Sequence, residues 1–345
     1  MNHPGVHGAL PFSDSASQAA GYDLAEVEVV LFSPIQNTRR VILDAVHGAG
    51  FRRVNVVNSI EKLRRAVRDA GLDMLVLEAK ELIEAVCDHI RDIRHGRLGN
   101  NPFLVINVIT WKPSDDVIRT FIDAGADDII VMPISIGAVT SRIDNIIENR
   151  KKFVATPRYV GPDRRKPGRG NDTELAGFDV PNGVRYKATG DESAKVDMAR
   201  IERANSIVRE HRLRRTTLQF RSTAAVMEQF IKDHPGESVP LDDVSDMSEM
   251  AHYIARHIEN DSRPEVLSLV ESLQKIMDEA AVDSRPEADL FAILGVHGDA
   301  LLALLRGEEE AAELVVRAVF TATEVFDKRV QKKRDAAEND AEDDL

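Results

Sequence analysis

The 345 residues include one cysteine, one tryptophan and few aromatics, 5% in all. The lone thiol, Cys87, has no partner for an internal disulfide, which points to a reducing compartment. With so few rings, the cores must be aliphatic. That suits helices and parallel strands better than an aromatic-rich sandwich. Long apolar runs are also lacking: the best, 290–305, is interrupted by Gly295, His297, Gly298 and Asp299, so no membrane span is expected. Residues 1–23 have neither a cationic start nor an apolar centre and do not read as a signal peptide. A cytoplasmic protein is the expectation. There is no basic excess either. The formal charge is −13, made of −4 over 1–150, +4 over 151–195 and −13 over 196–345. An acidic C-terminal half argues against nucleic acid as a partner, because phosphate affinity needs clustered Lys and Arg. Phosphate-loop and nucleophile-elbow patterns are absent, and no nucleophile–histidine set stands out. No catalytic residues, cofactor or metal are therefore expected, and the chain does not read as an enzyme.

What is present is a regular alternation. Short β-rich runs at 27–33, 53–60, 73–78, 101–110 and 127–133 alternate with helical periodicity at 38–51, 59–71, 80–96, 114–125 and 135–153. Five strand–helix units predict a doubly wound, five-stranded parallel sheet, an α/β fold of the flavodoxin-like type. Function in such folds gathers at the carboxyl ends of the strands. Those ends are Phe32–Ser33, Glu78, Thr110 and Met132–Pro133. Residues 1–25 read as a disordered arm, 26–150 as the α/β domain, and 151–192 as a basic linker rich in Gly and Pro. Residues 193–334 read as an all-α region, with helices at 194–233, 242–260, 263–282, 286–306 and 308–334. Residues 335–345 read as an acidic tail.

The segment DAGADDIIVMPIS (123–135), with DMLVLEAKE (73–81) and SPIQNTRRVI (33–42), resembles the receiver domain of two-component response regulators. The likeness covers about 26–150. In that family an aspartate at the end of the third strand accepts a phosphoryl group. Two acidic residues after the first strand hold Mg2+, and a Thr or Ser and a Lys contact the phosphoryl oxygens. Charge on the moving group requires such a metal and cation. By this resemblance Glu78 takes the acceptor position, Phe32 and Ser33 replace the acidic pair, Thr110 is kept, and Met132 replaces the Lys before Pro133. Ile129 replaces the aromatic switch residue. Losing these together implies a degenerate pseudo-receiver. Two readings of Glu78 stay open: a mimic of the aspartyl phosphate, reaching the Thr110 hydroxyl, or a solvated strand-end residue. Trp111 is either an interface anchor or a ring lying over the sheet edge.

The resemblance implies a phosphorelay adaptor whose partners are other signalling proteins, a histidine kinase or a downstream regulator. The alternative is a phosphorylation-dependent regulator with a non-DNA-binding helical output. In the linker, Arg164, Arg165, Lys166 and Arg169 form a possible anion-binding run beside the plainer reading of a solvated hinge. In the helical half, His211, His234, His252, His257 and His297 lack phosphotransfer or zinc contexts. Leu213, Phe220 and Met227, seven apart, with Thr217, Ala224 and Ile231 alongside, form a seam. It packs within its own bundle or joins a homodimer.

Overall fold

Strands rich in Val, Ile and Leu, apolar on both faces, can only be buried under helices on both sides, and the computed structural model has that arrangement. It describes residues 21–68, 71–111, 113–165, 176–235, 237–258, 263–282 and 287–343, with backbone alone at 282, 309, 329, 333 and 335–343. Most of the expected N-terminal arm, together with Lys166 and Arg169, lies outside the described residues. The strands are β1 (Glu28–Phe32), β2 (Arg53–Val57), β3 (Met74–Glu78), β4 (Val105–Thr110) and β5 (Asp128–Val131), all parallel in the order 2-1-3-4-5. Between and after them run α1 (Gln36–Gly48), α2 (Ile60–Arg68), α3 (Ile83–Arg94), α4 (Asp115–Ala124) and α5 (Ile136–Asn149). Helices α1 and α5 cover one face through Ile42, Val46, Ile143 and Ile147. Helices α2, α3 and α4 cover the other through Leu63, Ile90 and Phe121. Ser114 and Ser135 cap α4 and α5, their hydroxyls accepting the Val117 and Ala138 N–H groups.

The fourth strand starts later than its apolar run suggests, because the Asn101 side chain accepts the Phe103 N–H and turns the chain before Val105. The fifth helix stops four residues short of the expected 153. Arg150 leaves helical geometry (φ −54°, ψ 129°). Its guanidinium is held by Asp127 and by the carbonyls of Pro181 and Phe103.

Within 151–192 the described residues, 151–165 and 176–192, are folded against the sheet rather than extended as a linker. Strands β6 (Phe153–Ala155) and β7 (Val160–Pro162) form an antiparallel hairpin, and Phe153 also bridges to Phe178. Helix α6 (Gly183–Thr189) inserts Val184 into the sheet core, and Lys187 pairs at 2.7 Å with Asp73 at the start of β3. Gly161 and Gly183 serve tight packing here, each leaving no room for a Cβ. A Cβ on Gly125 would stand 2.7 Å from the Val160 carbonyl, and one on Gly161 would stand 2.9 Å from the Gly125 Cα. Burying Phe153, Val160, Phe178 and Val184 contributes about 1.5–3 kcal/mol per side chain before entropy is counted. The α/β unit therefore extends to about residue 196.

The remainder is helical: α7 (Met198–Asp233), α8 (Leu241–Ile258), α9 (Pro264–Val282), α10 (Ala288–Arg306) and α11 (Glu309–Asp343). Helix α7, about 54 Å long at 1.5 Å per residue, belongs to two cores. Its first turns bring Ile201, Ala204 and Val208 against the hairpin. Its later turns bring Leu213, Phe220, Ala224 and Met227 into the bundle, with Thr217 also buried and Ile231 packed alongside. The seven-residue seam is thus internal to its own bundle. Helix α10 reaches a mean hydropathy of 1.7 over 18 residues, enough by length and composition to cross a membrane. Half of that window is buried inside the bundle. The acidic tail does not begin as a loop, since α11 continues to Asp343.

Candidate functional site

The carboxyl ends of β1, β3 and β4 bring Phe32, Ser33, Glu78 and Thr110 together. Phe32 is fully buried in the core under α2 and α3 and brings no carboxylate to this end of the sheet. Ser33, equally buried, donates its hydroxyl to Glu78 Oε2. Glu78 is only 1% exposed, so it is not a solvated strand-end residue. Nor does it reach Thr110, whose hydroxyl donates to the Ala79 carbonyl at 3.4 Å. The extra methylene of Glu turns the carboxylate sideways to β1. Its other oxygen, Oε1, is buried without a hydrogen-bond partner. Burial raises the Glu78 pKa above its ordinary value, with the Ser33 hydrogen bond and the Lys80 charge only partly offsetting it.

Two cations at the rim fall outside the family pattern. Lys80 Nζ lies 5.3 Å from the centre of the half-exposed Trp111 ring, joining the loops after β3 and β4 over the site. Arg39 of α1 donates to the Ser33 carbonyl at 3.0 Å. Lys80 was legible as a cation two residues after Glu78. Arg39 carried no signal, because its contact depends on how α1 leaves the sheet. Ile129 of β5 packs into the core; just after the strand, Met132 is half-buried and Pro133 is exposed. Neither Met132 nor Pro133 offers a charge to the site. Among the described residues, no three His, Cys, Asp or Glu side chains are grouped to hold a metal ion. The arrangement can hold one hydrogen-bonded state of the β1 and β3 loops. The Glu78 carboxylate itself does not face solvent.

The opposite, amino-terminal end of the sheet carries a second polar cluster. Asp127, the first Asp of the AGADD segment, lies between Arg94 at 2.7 Å and Arg150 at 2.9 Å, their side chains 3%, 0% and 7% exposed. Burial pushes the Asp127 carboxyl up, but the two guanidiniums outweigh it and hold the pKa below the usual value. Burial lowers the Arg94 pKa to about 10. Arg94 also donates to the carbonyls of Gly125, Pro102 and Leu104. The Phe153 ring of the hairpin sits 5.1 Å from each guanidinium carbon. Arg164, expected in an anion-binding linker, instead donates to the Ala126 and Asp127 carbonyls. Arg165 folds back on Asp163 at 2.7 Å. The basic run is therefore partly a clamp between hairpin and sheet.

The histidines of the helical half lie apart. Nδ1 of His234, His252, His257 and His297 each faces the carbonyl four residues earlier, and His211 packs edge-on to Phe178. His297 is fully buried with Nε2 at 3.0 Å from Ser272 Oγ, and burial lowers its pKa to about 4.

No protein-family model matches this chain, and no curated protein does. Among solved structures, it is similar to a response regulator from Thermotoga maritima at 21% identity, over 36% of this chain and 99% of that one, with a TM-score of 0.31. It is similar to HP1043, an orphan response regulator of H. pylori, at 20% identity over 35% and 96%, with a TM-score of 0.29. It is also similar to the T. maritima response regulator DrrB, an OmpR/PhoB homolog, at 14% identity over 69% and 92%, with a TM-score of 0.32. The strand order 2-1-3-4-5 is that of the flavodoxin-like doubly wound fold, and in this sense the first part is receiver-like. A helical region follows it.

Proposed function

We propose that this protein is a signalling adaptor of the cytoplasm that works by surface recognition rather than catalysis. Its receiver-like domain is held in one state without phosphorylation. The observation that carries the reading is the buried Ser33–Glu78 hydrogen bond, which occupies the acceptor position and turns its carboxylate away from solvent. A phosphoryl acceptor needs an accessible oxygen and cationic support for the transferred group. Here Phe32 and Met132 supply neither metal ligand nor cation. The face of α4, β5 and α5, with Val131 and Ile136 exposed, meets a kinase or downstream regulator. The hairpin and α7 carry that contact into the helical region as one rigid connection, because both ends of α7 sit in packed cores.

The test is incubation of the full chain with acetyl phosphate and Mg2+, read as intact mass. The expected mass is unchanged. A gain of one phosphoryl group that disappears in Glu78→Ala overturns the reading and makes the chain a phosphorylation-dependent regulator.

A further inference from the structure

Helix α11 is 35 residues long, and its described side chains pack against the bundle through one side. Ala312, Val316 and Val319 are buried, and Val315 and Phe326 pack against the bundle core. At about 100° per residue, the opposite side carries Leu314, Ala318, Thr321 and Val325 at the i, i+4, i+7, i+11 spacing of one helical face. All four are exposed, Leu314 by 71% and Val325 by 48%. This row is bounded by charge of opposite sign at its two ends. Before it stand Glu308, Glu309, Glu310 and Glu313; after it stand Lys328, Arg329, Lys332, Lys333 and Arg334.

An apolar row with an acidic end and a basic end matches itself in one direction only. Parallel pairing sets acid on acid and base on base. Antiparallel pairing sets each basic end on the other copy's acidic end. We propose that α11 pairs antiparallel with α11 of a second copy of this chain, about a two-fold axis between Val319 and Phe320. In that register Leu314 of one copy faces Val325 of the other, and Ala318 faces Thr321. Residues 328–332 run along 307–311. Every contact is then made twice, as a two-fold interface requires. The small residues at the centre let the axes approach to about 8–10 Å, the usual packing distance of helices. The apolar row supplies the burial, and the charged ends set direction and register. The pairing concerns the helical region alone and is independent of what the receiver-like domain does.

The test is light scattering after size exclusion on the full chain over a concentration series. The expected mass rises with concentration from 38.3 kDa to twice that value. Leu314→Ser with Val325→Ser, both on the solvent side of α11, weakens the dimer by at least about 100-fold, since four apolar side chains, two in each copy, are lost at once. Their circular dichroism stays unchanged. Lys328→Glu with Lys332→Glu also weakens it, and adding Glu308→Lys with Glu310→Lys to that chain restores it. A monomer at every concentration overturns the proposal. So does a dimer indifferent to the Leu314 and Val325 changes, or a failure of the fourfold charge exchange to restore pairing.

Discussion

Replacing Asp127 by Asn removes one charge and few atoms, yet it should be among the most damaging changes in the receiver-like domain. The carboxylate is the counter-ion of two guanidiniums that are themselves almost wholly buried, Arg94 at 0% and Arg150 at 7% exposure. Without it, two like charges are left facing each other out of water. Removing one partner of a buried pair costs about 3–5 kcal/mol. Asp127 also accepts the Ile106 N–H at 2.8 Å, a bond that Asn keeps only by turning its amide nitrogen towards an arginine. At about 2–4 °C per kcal/mol for a unit of this size, the melting point should fall by roughly 6–20 °C. The assay is urea and thermal unfolding followed by fluorescence of Trp111. As the single tryptophan, it reports this domain and not the helical region. The pH dependence gives a second reading. Asp127 titrates below its unfolded value of about 3.9, so its contribution is complete above that pH and is lost as pH falls through the lower, folded value. Native protein and Asp127→Asn should therefore converge in strongly acidic solution. A loss below about 1 kcal/mol near neutrality, or a constant gap at all pH values, would refute the view that this network clamps the hairpin to the sheet.

Three further outcomes are expected. Glu78 has a raised pKa, so the folded protein holds its proton more tightly than the unfolded chain does. Stability should decline as pH rises from the unfolded value of about 4.3 through the folded one, and Glu78→Gln should abolish that decline in urea midpoints taken across pH. Gly161→Ala places a methyl 2.6 Å from the Tyr159 hydroxyl and 2.9 Å from the Gly125 Cα; an overpacking cost of about 1–3 kcal/mol should appear in the Trp111 unfolding curve. In the helical region, His297 is buried neutral with a pKa near 4, so its contribution is present above about 6.5 and lost as pH falls towards 4. The total is at most about 3 kcal/mol, seen as falling helical ellipticity in urea, and His297→Gln should remove that dependence.

The α/β pattern was legible because burial on both faces leaves continuous apolar strands and helices with a 3.6-residue period, a local signal. The same locality made the strand ends readable, and with them the positions of Phe32, Ser33, Glu78 and Thr110. What those side chains do together was not readable. Whether Glu78 turns to Thr110 or to Ser33 depends on the lateral distance between β3 and its neighbours, which no run of residues encodes. Residues 151–192 looked like a hinge because their Gly, Pro and Arg have no periodicity. Their contacts are made with Gly125, Asp127 and Asp73, far away in sequence. The seam of α7 shows the same division. Its seven-residue spacing required an apolar partner, and only the bundle decided that the partner is this chain itself. Sequence alone thus determined the five strand–helix units, the long helices after them, their order and the loss of the charged set at the strand ends, because these depend on neighbours along the chain. The tertiary structure decided which polar groups are satisfied, where the receiver-like domain ends and which helix face remains open, because each depends on side chains that meet only after folding.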